Sequence, residues 1–82
     1  MMTKEEIIKN VNSIMAAKAH ISPDAINLED FYDELGADSM QCIEVLVELQ
    51  DEFDIEITGY DTLKVATMQD VYDLIERKVN EQ

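Results

Sequence analysis

The chain has 82 residues, of which 46% are apolar, and its 6 Lys+Arg against 19 Asp+Glu give a formal net charge of −13 at pH 7. That supports one small hydrophobic core, so a single domain over residues 1–82 is expected. A surface this negative repels nucleic-acid phosphates and anionic lipid headgroups, and attracts cations and basic protein patches.

Glycine occurs only at Gly36 and Gly59 and proline only at Pro23, so the segments between them are free of strong helix breakers. Thr3 and Glu6 make a capping box at the start of a first helix. Ile7, Ile8, Val11, Ile14 and Met15 then follow the i, i+3, i+4, i+7, i+8 pattern of one apolar stripe, and the helix is expected to end near Lys18. From Ala19 to Ala37 no period is sustained. Ser22-Pro23 suits a short turn, and Ile26, Leu28, Phe31 and Leu35 can pin this long loop to a core. Connections of this length are uncommon in compact domains and often functional.

The loop ends in Glu34-Leu35-Gly36-Ala37-Asp38-Ser39-Met40. Gly36 suits a turn with positive φ, and Asp38 suits an N-cap answered by Gln41, which places Ser39 in the first turn of a second helix running to Phe53. At roughly 100° per residue, Cys42, Ile43, Val45, Leu46, Val47, Leu49 and Phe53 cover a broad apolar arc. Glu44, Glu48, Asp51 and Glu52 cluster opposite, with Met40 and Val47 at the border. Ile55 and Ile57 alternate with polar residues, but with no second strand to pair they read as an extended connector. Gly59 to Leu63 suits a short third helix. Thr67 and Asp70 cap a last helix, Met68 to Val79, with Val71, Leu74, Ile75 and Val79 as its buried stripe and Arg77 and Lys78 at its negative end. The expected fold is an all-α small four-helix bundle: three longer helices, one short helix and a long loop between the first two.

A lone cysteine, Cys42, and a lone histidine, His20, exclude an intramolecular disulfide and a Cys/His structural zinc site and fit a reducing cytoplasm. Met1 to Lys9 lacks the apolar run of a signal peptide, and no stretch approaches the roughly 20 residues of a membrane span, so a soluble, unprocessed chain is expected. Ser39 has no evident catalytic base, since His20 lies in a separate loop, and Cys42, amid acids, reads as a packed side chain rather than a nucleophile. Catalysis is not expected. Asp54, Glu56, Thr58 and Gly59 match the first half of an EF-hand loop, but Val65 stands where the bidentate carboxylate belongs. No metal site is assigned.

The run Glu34-Leu35-Gly36-Ala37-Asp38-Ser39-Met40, followed by an acidic amphipathic helix, resembles the acyl carrier protein family, and the resemblance extends over nearly the whole chain. It implies that Ser39 carries a covalent 4′-phosphopantetheine arm, whose thiol holds acyl groups as thioesters for fatty acid or polyketide synthesis. It also implies a monomer visited by a phosphopantetheinyl transferase and by acyl-chain synthesis or transfer enzymes with basic docking patches. Asp38, Glu44, Glu48 and Asp51 would then supply charge to those partners, and Met40 and Val47 apolar contact. From the residues alone, Ser39 reads first as an ordinary first-turn residue and the acids as a solvated face. Two departures stand out: Gln41 replaces a residue commonly acidic, and the short third helix reads Thr58-Gly59-Tyr60-Asp61-Thr62-Leu63. Ser39-Met40 and the Leu49-Gln50 region also resemble D-alanyl carrier proteins, so a D-alanyl or aminoacyl (peptidyl-type) carrier on the same fold is the alternative. Outside the carriers stand an acidic helical adaptor and a calcium-binding module.

Overall fold

The computed structural model describes residues 2–30 and 39–81, with the backbone alone for Ser39, Gln41 and Cys42. The expectations for Gly36 as a turn, Asp38 as a cap, Gln41 as its answer, Phe31 and Leu35 as anchors and Cys42 as a packed side chain lie outside the described residues. Helices α1 (Lys4–Ala19), α2 (Ser39–Phe53), α3 (Gly59–Leu63) and α4 (Met68–Asn80) follow one another, with a short 3₁₀ turn at Pro23–Ala25 in the connection from α1 to α2. The described residues form no β-strand.

Local sequence sets the helix starts. Thr3 and Glu6 form the expected capping box of α1, and Thr67 and Asp70 that of α4. Thr58 and Asp61 make a third box at α3, with the same Thr-x-x-acid spacing. In each, the hydroxyl and the carboxylate satisfy backbone N–H groups that the helix leaves without partners. Helix α1 ends where His20 turns left-handed, at φ 60°, and its N–H bonds back to the Ala16 carbonyl.

Helix α1 packs against both α2 and α4. Ile7, Val11 and Met15 of α1, Val45, Leu49 and Phe53 of α2, and Met68, Val71, Tyr72 and Ile75 of α4 form one buried cluster, joined by Ile26 from the connection. Full burial of each large aliphatic side chain contributes roughly 1.5–3 kcal/mol. The Tyr72 hydroxyl donates to Asn12 Oδ1, giving the buried phenol a partner on α1. Val79, expected in the α4 stripe, is only half-buried against the cluster.

Backbone bonds fasten the irregular segments. The N–H groups of Met68 and Gln69, unpaired at the start of α4, donate to the carbonyls of Asp30 (2.8 Å) and Leu28 (3.0 Å), which ties the first half of the long connection to that helix end. After α2, the Ile55 N–H donates to the Gln50 carbonyl at 3.1 Å and the Ile57 N–H to Gln50 Oε1 at 3.0 Å. A side chain thus replaces the missing strand partner, and Ile55 and Ile57 lean on the core as an extended connector.

Candidate functional site

Helix α2 begins at Ser39. Its first turn carries Ser39, Met40 and Gln41 and no acid. The unpaired N–H groups and dipole of such a helix end favour an attached or approaching phosphate.

Beyond Ser39 the helix divides sharply. Val45, Leu49 and Phe53 are buried against α1 and α4, whereas Met40 is 65%, Ile43 59% and Val47 50% exposed. At roughly 100° per residue, Met40, Ile43 and Val47 fall within about 60° of one another. They form an apolar stripe in solvent. Glu44, Glu48 and Asp51, all exposed, run alongside it. The structure therefore brings together Met40, Val47, Glu44, Glu48 and Asp51 on one open face. Asp38 lies outside the described residues.

Ile43, one of the broad apolar arc in the sequence, joins Met40 and Val47 on the open face, although the sequence alone does not place it among the partner-contact residues. Its spacing of three from Met40 and four to Val47 was the available signal. Among the described residues no element covers Ile43 and Val47, so the broad apolar arc is split between core and surface.

Lys18, in the last turn of α1, reaches across to the same face. Its Nζ donates to Glu44 Oε2 at 3.2 Å and lies 3.0 Å from Glu48 Oε1. Hydrogen bonding, first to Glu48 and then to Glu44, raises the lysine above its ordinary pKa. On the other side of the bundle, Lys4 bridges Asp73 (2.5 Å) and Glu76 (3.2 Å), tying α1 to α4.

Asp61 is the one buried acid among the described residues. Its carboxylate accepts the Thr58 N–H at 3.0 Å, lies 2.9 Å from Lys78 Nζ and faces Arg77 at 3.6 Å. The Thr58 backbone bond above all, followed by the Lys78 hydrogen bond, lowers its pKa from 3.8 to about 2. Thr58 and Asp61, which fall within the EF-hand register, are thus engaged in capping and ion pairing. Among the described residues no three His, Cys, Asp or Glu side chains are placed to hold a metal ion. Nor is any helix there long and apolar enough to cross a membrane.

Residues 10–75 match the family model described as "Phosphopantetheine attachment site". An acyl carrier protein of Chlorobium phaeobacteroides is 38% identical over 78 residues, covering 94% of this chain and 100% of the relative. One from an Exiguobacterium species is 42% identical over 79 residues, covering 95% and 100%. The crystal structure of an acyl carrier protein from Thermotoga maritima superposes with a TM-score of 0.79 over 95% of this chain and 92% of that one, at 24% identity. That last likeness establishes a shared fold.

Proposed function

Because this chain belongs to the acyl carrier protein family, with its phosphopantetheine attachment domain, we propose that Ser39 is the residue that bears the arm, and that the loaded thiol carries acyl intermediates between enzymes of fatty acid or polyketide synthesis. Members of this family are carriers rather than catalysts. The observation that carries the reading is the position of Ser39 as the first residue of α2, inside the family-matched span and beside an open apolar and acidic face. A helix N-terminus tolerates the phosphodiester charge, and the adjoining face gives an enzyme something to grip while it works on the serine or the arm.

The partners in this reading are a phosphopantetheinyl transferase and acyl-chain synthesis or transfer enzymes with basic docking patches, met in the cytoplasm by a monomeric, single-domain carrier. Glu44, Glu48 and Asp51 attract them, Met40, Val47 and now Ile43 seat them, and Asp38 adds charge next to the attachment point. Such division of labour is physically sensible, since charges steer encounter while buried apolar contact supplies residence.

Incubation with a phosphopantetheinyl transferase and coenzyme A, followed by intact mass, tests the assignment. Wild type should gain the mass of one arm and Ser39→Ala none, while both keep the same far-ultraviolet circular dichroism. Loading of Ser39→Ala would overturn the assignment.

A further inference from the structure

The acids that would greet a basic partner are not all available to it. Glu44 and Glu48 stand four residues apart on α2, where like charges repel, and the Lys18 ammonium from α1 lies within 3.2 Å of a carboxylate oxygen of each. A lysine or arginine docking on this pair must enter the position that Lys18 holds. We infer that Lys18 is a specificity-determining residue, a resident counter-ion that partners have to displace from Glu44 and Glu48, so that it weakens docking by any enzyme that reads those two acids. The inference rests on the carrier reading of the same face and adds to it the residue that tunes its recognition.

The geometry explains why the effect is a tuning one. The Lys18 side chain is 29% exposed and its partners 48% and 47%, and ion pairs at this depth are worth little, their measured couplings corresponding to factors of about 1.4 to 5 in an equilibrium constant. Displacement is therefore cheap enough for docking to proceed. Partners that contact Asp51 and the Met40-Ile43-Val47 stripe escape the competition, whereas partners that need Glu44 and Glu48 do not.

Removing a positive charge anywhere makes the chain more attractive to a basic enzyme, so the test needs a matched control. Lys9 is exposed on α1, and nine residues at roughly 100° each place it half a turn away from Lys18. The catalytic efficiency of phosphopantetheinyl transfer is measured at low salt for wild type, Lys18→Gln, Lys18→Arg and Lys9→Gln. Lys18→Gln should exceed Lys9→Gln by about two- to five-fold, and Lys18→Arg, which keeps the clasp, should match wild type. The excess should vanish at about 0.5 M NaCl, where screening acts over only a few ångströms. It should also vanish when the same pair is compared in a Glu44→Gln/Glu48→Gln background, which isolates the coupling. Circular dichroism and thermal midpoints of every variant, those in the Gln background included, verify that all are folded. Equal rates for Lys18→Gln and Lys9→Gln, or an excess that persists in the Gln background, overturn the role of Lys18 while leaving the carrier reading intact. Failure of the wild-type chain to load at Ser39 instead removes the carrier reading and this inference with it.

Discussion

Asp61 offers the sharpest test of the energetics, because one side chain both caps α3 and ties it to α4. A carboxyl held at about 2 instead of 3.8 favours the folded chain by about 2 kcal/mol once it is ionised. Asp61→Asn mimics the protonated carboxyl in shape and charge, and its amide oxygen can still accept the Thr58 N–H. The variant therefore removes the whole preference for the ionised carboxylate, the charge-assisted strength of the Thr58 bond and the Lys78 contact together. At pH 7 the variant should lose about 2 kcal/mol in urea unfolding followed by circular dichroism, or roughly 8–16 °C in thermal midpoint for a domain of this size. The sign with pH follows from the depressed folded-state value. Stabilisation is complete above the unfolded pKa near 3.8 and is lost as pH falls through about 2. The gap between the two proteins should shrink to about 1.3 kcal/mol at pH 3 and to less than about 0.5 kcal/mol at pH 2, since other carboxyls titrate alike in both. A gap below about 0.5 kcal/mol at pH 7, or one unchanged between pH 7 and pH 3, would refute the argument.

Reversing Glu44 and Asp51 to Lys should slow arm loading more than the same reversal at Glu5 and Glu81, with a smaller difference in added salt; equal losses at all four would reduce the effect to net charge. Tyr72→Phe should cost about 1 kcal/mol in urea unfolding by depriving Asn12 Oδ1 of its donor, and an unchanged midpoint would show that water replaces the hydroxyl at no cost. Thirteen excess negative charges repel one another in so small a domain, so millimolar Mg²⁺ or Ca²⁺, or moderate NaCl, should raise the thermal midpoint at neutral pH, the divalent ions at lower concentration. A midpoint indifferent to all three salts would mean that the acids are spaced or paired well enough to be harmless.

What the sequence determined by itself is whatever depends on neighbours three or four residues apart. The boxes at Thr3 and Thr67 and the stripe of Ile7, Val11 and Met15 are of this kind, because capping and helical periodicity are local interactions. The Thr58 and Asp61 box has the same Thr-x-x-acid spacing and is equally legible in the sequence. Tertiary structure decided the rest. A helical wheel shows that Ile43 and Val47 are apolar but not whether another helix covers them, and α1 and α4 cover only the side of α2 that carries Val45, Leu49 and Phe53. Lys18 and Glu44 are 26 residues apart, and Asp61 meets Lys78 only because α3 folds onto the end of α4. Ion pairs between distant segments have no sequence period. They exist where packing brings the two ends together, so Lys18 as counter-ion of Glu44 and Glu48, and Lys78 as that of Asp61, follow only from the assembled helices.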